Sequence, residues 1–176
     1  IAPIITGCAP DTIISADANC EYIMGDFTGF IAAIDNCTAT TGETQDIAIG
    51  TTYPLGGPYP VMLSITDDFN NTAACSFNIT VVDNTAPDFN CPSNDNVIAA
   101  INCDYLIPSY DTTLNITDAC SSFTYSQSIA SGTTLPGISS TQDIEISVTD
   151  LAGNSNSCSF TITVIDTLAP AITCPG

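Results

Sequence analysis

The sequence predicts an all-β protein built from tandem copies of a small, disulfide-bonded β-sandwich. Three observations support this fold class. Cysteines recur with a period of 83 residues, apolar and polar residues alternate in short segments, and Gly, Pro, Asn and Asp separate those segments. Such a period exceeds the roughly 20 to 50 residues of a solenoid unit and suits a small domain. We therefore expect domains at 1–83 and 84–166, with 167–176 beginning a third copy.

Four cysteines mark each copy, and we number them first to fourth in chain order. No His is present and no Cys-x-x-Cys pair occurs, so the spacing of a structural zinc site is missing. Repeated cysteines therefore predict disulfides and an oxidising, extracellular location at the cell surface or in secreted form. The cysteines are Cys8, Cys20, Cys37 and Cys75 in the first copy, Cys91, Cys103, Cys120 and Cys158 in the second, and Cys174.

Alternating segments predict antiparallel strands that bury one face. Segment 158–166 places Phe160, Ile162 and Val164 on one face, and segment 142–150 does the same with Ile144, Ile146 and Val148. Their counterparts in the first copy are 75–83 and 59–67. No stretch of a dozen residues has an apolar period of 3.6, so little helix is expected. Six or seven short strands per copy are typical of a sandwich of the immunoglobulin or fibronectin III kind.

The charge balance restricts the partners of the chain. Its 176 residues include 19 acidic residues and no Lys, Arg or His, for a net charge of -19. Nucleic-acid binding is excluded because phosphate contacts need Lys or Arg, and an anionic membrane surface is excluded for the same reason. No apolar run approaches the roughly 18 residues of a spanning helix, so membrane insertion is not expected. The first residue is Ile1, and we expect an internal fragment or a processed product.

Several short motifs, taken together, resemble the hyalin repeat (HYR) domain family. The second copy contains TAPDFNCP, NITDAC and SGTTLPGISSTQDIEISVTDLAGNSNSCSFTITVID. The first copy keeps most of the pattern, including Asp35-Asn36-Cys37, Thr66-Asp67 and Cys75-Ser76-Phe77, but has Phe69-Asn70 where the family has Ala-Gly. The matching positions of the second copy are Cys91-Pro92, Thr117-Asp118, Gly132-Thr133, Pro136-Gly137, Thr149-Asp150, Gly153-Asn154 and Cys158-Ser159-Phe160.

The resemblance implies an immunoglobulin-like sandwich in an extracellular, adhesive or matrix setting, and it carries no catalytic residues. The version with four cysteines resembles copies in large surface adhesins of Bacteroidota. The resemblance also implies the pairs Cys8–Cys75 and Cys91–Cys158, which leaves Cys20–Cys37 and Cys103–Cys120, with Cys174 pairing in the next repeat. Two alternatives remain open: Cys120–Cys158 together with Cys91–Cys103, or a bond across the seam from Cys103 to Cys174.

A calcium site is the most specific functional candidate. Loops at one end of the sandwich would bring Asp118, Asp150 and Asn154 together with Asp83 and Asn84 of the incoming linker. Oxygen ligands from several loops suit Ca²⁺, although no EF-hand loop is present. The alternative is that these side chains cap their own turns. The equivalents in the first copy are Asp35, Asn36, Asp67, Asp68, Asn70 and Asn71.

Catalysis is not expected. His and Lys are absent, and the one plausible carboxylate pair, Asp143 and Glu145, is replaced by Pro60 and Met62 in the first copy. We expect a rigid disulfide-stabilised stalk segment of a long extracellular adhesin or filament. Its partners would be neighbouring repeats, other copies in a filament, or surface glycans. The alternatives are a lectin-like or Ca²⁺-dependent binding module and a non-catalytic appendage of a secreted enzyme.

Overall fold

The computed structural model describes residues 1–37 and 40–170. The chain forms two compact units, which we call the first unit (Ile1–Asn84) and the second unit (Thr85–Gly176). In the described residues both units consist of strands, turns and one short 3-10 helix each. No helix in this part of the chain is long and apolar enough to cross a membrane.

The first unit is built around a four-stranded sheet in the order β2-β8-β7-β5. Strand β2 runs parallel to β8, and the other neighbours are antiparallel. Two smaller antiparallel sheets, β1-β4 and β3-β6, complete the unit. The strands are β1 (Ile4–Gly7), β2 (Thr12–Ser15), β3 (Glu21–Ile23), β4 (Ala32–Ile34), β5 (Thr40–Gln45), β6 (Thr52–Pro54), β7 (Gly56–Asp67) and β8 (Thr72–Val82), and the 3-10 helix is Thr28–Phe30.

The second unit has the same main sheet, in the order β11-β13-β14-β9, with β9 parallel to β14. The pair β10-β12 corresponds to β3-β6. A single bridge between Asp88 and Thr117 stands where the first unit has β1-β4. The strands are β9 (Asp95–Ile98), β10 (Asp104–Leu106), β11 (Phe123–Gln127), β12 (Thr134–Pro136), β13 (Thr141–Asp150) and β14 (Ser155–Ile165), and the 3-10 helix is Asp111–Thr113.

Each unit has its own core, formed by the alternating side chains of its two longest strands. From Ile144 in β13 and from Phe160 in β14, every second residue is buried, and exposed or half-buried residues lie between them. The period-two alternation therefore confirms the predicted strands, and the all-β fold class is correct. The main core residues are Val61, Leu63, Ile65, Phe77, Ile79 and Val81 in the first unit and Ile144, Ile146, Val148, Phe160, Ile162 and Val164 in the second.

The second unit has an entry end and an exit end, which lie at opposite ends of β14. At the entry end, the β13-β14 turn receives the incoming chain, because Asn154 Nδ2 donates to Thr85 O (3.3 Å) and Asn156 Nδ2 donates to Pro87 O (3.1 Å). The exit end is where β14 finishes at Ile165 and the chain leaves the unit. At about 3.3 Å per residue, β14 separates the two ends by roughly 35 Å.

The first unit has the same two ends. The β7-β8 turn marks its entry end, where β1 pairs Ile4 with Ile34 and β5 pairs Thr40 with Asp67. The exit end lies at the end of β8, where the amide of Ala16 donates to Val82 O (2.9 Å).

One disulfide closes each unit. Cys8 bonds Cys75 with a Cα–Cα distance of 6.3 Å, and Cys91 bonds Cys158 with a distance of 6.1 Å. Each bond joins the segment that enters the unit to its last strand. These pairs confirm the pairing of first and fourth cysteines that the resemblance implied. The alternative pairs Cys120–Cys158 and Cys91–Cys103 are therefore wrong.

The second and third cysteines of a copy do not bond each other. Cys37 and Cys103 are exposed free thiols, whereas Cys20 and Cys120 are disulfide-bonded. The predicted pairs Cys20–Cys37 and Cys103–Cys120 are therefore wrong. The bond across the seam from Cys103 is wrong for the same reason, and its other member, Cys174, lies outside the described residues.

The positions of the second and third cysteines within the unit explain why they do not bond each other. Cys103 lies at the exit end, where the neighbouring Ala99 amide donates to Ile165 O (2.9 Å). Cys120 lies at the entry end, two residues before Ser122, whose carbonyl accepts from the Leu151 amide of the β13-β14 turn (3.0 Å). A disulfide needs Cα atoms within about 7 Å, whereas these two ends are separated by most of the length of β14.

Candidate functional site

The entry end of the second unit carries the predicted calcium ligands that belong to this unit, beginning with Asp118. Its Oδ1 accepts from the amides of Cys120 (3.0 Å) and Ser121 (2.7 Å), which folds the segment into a tight turn ahead of β11. Its Oδ2 is buried and accepts no hydrogen bond from the described residues. A buried carboxylate oxygen without a donor is costly, so Oδ2 has an unmet need for a donor or a cation.

Asp150 caps the β13-β14 turn. Its Oδ1 accepts from the amide of Asn154 (2.7 Å), and its Oδ2 accepts from Asn154 Nδ2 (2.8 Å). The Asp150 amide donates in return to Asn154 O (3.0 Å). The side chain is only 6% exposed. Asp150 and Asn154 therefore hold the turn together through their own side chains, as the turn-capping alternative predicted.

The first unit repeats both turns. Asp35 Oδ1 accepts from the amide of Cys37 (2.9 Å), as Asp118 does for Cys120. Asp67 accepts from the amide and the Nδ2 of Asn71, both at 2.8 Å, as Asp150 does from Asn154. The predicted equivalents Asp68, Asn36 and Asn70 are exposed. Because the same turns form in both units, the local sequence determines them.

Hydrogen bonding makes the two capping carboxylates more acidic. The Asn71 side chain, together with the amides of Asn71 and Phe69, lowers the pKa of Asp67 below its ordinary value of 3.8. Burial pushes the pKa of Asp150 upward, but the Asn154 side chain and the amides of the turn outweigh burial and lower it. Both carboxyls are therefore ionised at neutral pH.

Asp118 and Asp150 place two carboxylates close together. One oxygen from each lies within 4.8 Å of one from the other. The chain has no Lys, Arg or His with which to compensate this charge. Each oxygen of Asp150 has a second lone pair besides the one used in the turn, so it can still bind a cation. The arrangement suits a hard divalent ion such as Ca²⁺.

The remaining two predicted ligands precede the second unit. Asp83 is half-buried and Asn84 is exposed, and they are the last two residues of the first unit. The peptide bond from Asn84 leads directly to Thr85, whose carbonyl accepts from Asn154 at the entry end. Their role as ligands stays a prediction.

The other acidic pair has the character of a solvated strand surface. Asp143 and Glu145 are exposed on β13. The Thr161 hydroxyl donates to Asp143 Oδ1 (2.6 Å) across the sheet.

The backbone conformation of the second cysteine is a further feature that has no signal in the sequence. Cys20 and Cys103 both have φ 64°. This left-handed region is uncommon for residues other than Gly, Asn and Asp. A cysteine in this conformation at equivalent places in both units points to a role that depends on the direction of its side chain.

Comparison with known proteins identifies one family. Residues 82–164 match the family model described as the HYR domain. No curated protein matches the sequence of the chain.

Solved structures that are similar to this chain include cadherin domains and fibronectin(III)-like modules. Protocadherin gamma B7 extracellular cadherin domains 1-4 has 16% identity and a TM-score of 0.36, covering 94% of this chain and 51% of that one. Drosophila N-cadherin EC1-4 has 13% identity and a TM-score of 0.37, covering 93% and 49%. The fibronectin(III)-like modules of Clostridium thermocellum CbhA have 12% identity and a TM-score of 0.33, covering 99% and 100%. The chain thus spans about half the length of the first two.

Proposed function

We propose that this chain, whose residues 82–164 match the HYR domain family model, is a stalk segment of a long extracellular adhesin or cell-surface filament. In this role the copies do no chemistry. They set the distance between a cell surface and whatever the end of the filament binds. Surface glycans, neighbouring repeats and other copies in a filament are the partners that this proposal includes.

The placement of the closing disulfide is the observation that carries the proposal. Tension along the chain enters a unit near its first cysteine and leaves through its last strand, β8 or β14. The bonds Cys8–Cys75 and Cys91–Cys158 connect these two places directly, each with a sequence separation of 67. The residues between them are therefore shielded from force. A unit built in this way keeps its length under load, which is what a stalk needs.

The disulfides also support an extracellular location. Bonds of this kind form and persist outside the reducing cytoplasm. In addition, each closed loop of this length stabilises its unit by about 4 kcal/mol in the chain-entropy model. A domain of this size has a net stability on the order of 5–10 kcal/mol, so the bond is a large share of it.

The length of repeated arrays tests the stalk. Chains in which residues 1–166 are repeated to give two, four and eight copies would be imaged by electron microscopy. We expect an end-to-end distance that grows in proportion to the number of copies. The matched control carries a flexible Gly-Ser insertion between Asn84 and Thr85, which should shorten the mean distance. Equal distances with and without the insertion would show that the seams are not stiff.

Calcium at the entry end is a second part of the proposal. Asp118 and Asp150 would supply the central carboxylates, with Asp83, Asn84 and Asn154 as further oxygen ligands. The buried Oδ2 of Asp118 supports this, because a cation would meet its need for a partner. Bound Ca²⁺ would offset the repulsion between neighbouring carboxylates and stiffen the junction that Asp83 leads into.

Thermal unfolding with and without calcium tests this site. We expect Ca²⁺ to raise the melting temperature, with a gain of about 2.7 kcal/mol when free Ca²⁺ is 100 times its dissociation constant. Asp118→Asn should abolish the increase, whereas Asp143→Asn, on the exposed strand face, should keep it. An equal concentration of Mg²⁺ controls for general screening. If the melting temperature is the same in calcium and in chelator, Asp118 and Asp150 act only as turn caps.

A further inference from the structure

We propose that the second cysteine of each copy forms a disulfide with the third cysteine of the copy that follows it. The free thiols of Cys103 and Cys37 are then the unpaired ends of a series of disulfides between successive copies, which we call the ladder. Cys103 would take the third cysteine of a following copy, and Cys37 the second cysteine of a preceding one. This inference deepens the proposed stalk and rests on it, because it needs copies in series.

The oxidation states of the cysteines are the first support. Each copy has one bonded and one free cysteine besides its closing disulfide. In the first copy the second cysteine, Cys20, is bonded and the third, Cys37, is free. In the second copy the third cysteine, Cys120, is bonded and the second, Cys103, is free. Both positions therefore accept a disulfide in this fold, and neither finds its partner in the same copy.

The backbone at the second cysteine gives independent support. Cys20 and Cys103 share φ 64°, although one is bonded and the other is a thiol. Both close the same turn: the Cys20 amide donates to Asp17 O (3.0 Å) and the Cys103 amide to Ala100 O (2.9 Å). The unusual conformation is thus present before a bond forms. Cys103 already has the backbone that its bonded counterpart uses.

The third cysteine shows the same correspondence. The amide of the free Cys37 donates to Asp35 Oδ1 (2.9 Å), and that of the bonded Cys120 donates to Asp118 Oδ1 (3.0 Å). The same turn therefore forms whether its cysteine is free or bonded. Cys37 is exposed, so its sulfur is accessible to a partner from outside the unit.

Position in the unit indicates which partner fits. In both units the second cysteine lies at the exit end and the third at the entry end. When copies follow one another along a chain, the exit end of one precedes the entry end of the next. Along the chain, an exit-end cysteine is therefore followed by the entry end of the next copy, which carries a third cysteine. This order favours the next copy of the same chain over a copy of another chain.

The bond forms by thiol–disulfide exchange. A protein or small-molecule disulfide in the oxidising compartment accepts two electrons and becomes two thiols. The two cysteine sulfurs lose these electrons together with two protons, and one new S–S bond replaces the one that was broken. No metal or further oxidant is needed.

Thiol mapping in chains of different length tests the ladder. The 176-residue chain and a chain extended by one complete further copy would be oxidised with a glutathione redox buffer, alkylated with a maleimide and digested. Chymotrypsin would serve, since the chain has no Lys or Arg for trypsin. In the shorter chain we expect alkylated Cys37 and Cys103, together with Cys174, whose expected partner lies in the next repeat. In the extended chain, labelling of Cys103 should be lost and its peptide should be found linked to the third cysteine of the added copy.

Two internal controls make the outcome decisive. Cys37 should stay alkylated in both chains, because neither adds a preceding copy. Cys103→Ser in the extended chain should leave the third cysteine of the added copy alkylated. A Cys103 that stays reduced in the extended chain overturns the ladder, and so does a Cys103 linked to a second chain. Either result leaves the stalk itself intact, since array length is measured separately.

Discussion

The first and fourth cysteines of a copy form the closing disulfide, whereas the second and third, which we call the outer pair, do not bond each other. Both pairs nevertheless recur with the same period. In the second unit, the first and fourth cysteines, Cys91 and Cys158, form a disulfide with a Cα–Cα distance of 6.1 Å. The second and third, Cys103 and Cys120, lie at opposite ends of the same unit. The closing pair therefore serves the stability of the unit, and the outer pair does not. A shared period shows that the cysteines belong to one repeated pattern, but it does not show which of them form disulfides with each other.

Removing a closing disulfide is expected to have the largest effect. Replacing both Cys91 and Cys158 by Ala avoids leaving a new free thiol. It should lower the free energy of unfolding of the second unit by about 4 kcal/mol, because the unfolded chain regains the entropy of a long loop. Urea unfolding at 25 °C would measure this change.

The outer cysteines provide the matched control for that experiment. Cys103→Ser replaces an exposed thiol and should change the free energy of unfolding by less than about 0.5 kcal/mol. A loss from Cys103→Ser that equals the loss from the double variant would mean that the two classes of cysteine do not differ as described.

Acid unfolding should show the contribution of the capping carboxylates. The pKa values of Asp67 and Asp150 lie below 3.8 in the folded chain. Their stabilisation is therefore fully present above the ordinary pKa and is lost as the pH falls through the folded pKa. Asn154→Ala removes the amide that favours the ionised form of Asp150. The variant should melt at a lower temperature than the wild type at pH 7, and the difference should shrink below pH 4.

The comparison of the variant with the wild type cancels the change in overall charge repulsion with pH, which affects both proteins. Asn71→Ala should produce the same pattern in the first unit. A melting difference for Asn154→Ala that stays constant from pH 7 to pH 2 would show that its amide does not act through the Asp150 carboxylate.

The tips of the two capped turns should show the smallest effect. Asn70 has φ 62° where the second unit has Gly153 at φ 95°. Asn tolerates this left-handed region better than most residues, so the turn survives the departure from the family pattern. Asn70→Gly should be neutral within about 0.5 kcal/mol, whereas Asn70→Ala should cost about 1 kcal/mol. Equal stability of the two variants would show that the positive φ is not under strain.

The strands could be predicted from the sequence because burial on one face leaves a direct period-two pattern. Ile144, Ile146 and Val148 are an example. The cysteine pairs were harder to predict. The Cys8–Cys75 and Cys91–Cys158 bonds followed from a family resemblance. The outer cysteines were wrongly paired because Cys103 and Cys120 were the two left over, and a sequence separation of 17 residues does not reveal that a strand-length lies between them.

The candidate site was partly predictable for a similar reason. Loops at one end of a sandwich converge, so Asp118, Asp150 and Asn154 were expected together. The sequence could not decide between ligand and cap, since Asp and Asn suit both roles. The structure shows that Asn154 donates a hydrogen bond to Asp150, and that Asp118 retains a buried oxygen that accepts no hydrogen bond from the described residues. The left-handed φ of Cys20 and Cys103 has no signal in the sequence, because Cys is not a residue type that favours it.

Single-molecule stretching tests the load-bearing account most directly. Each closing bond shields the chain between cysteines that are 67 residues apart. At 3.3–3.6 Å per residue, reduction should therefore add roughly 220–240 Å of extension for every unit that unfolds. The oxidised array should show only short unfolding steps, and the reduced array long ones. Steps of the same length before and after reduction would contradict the claim that the disulfides carry the load.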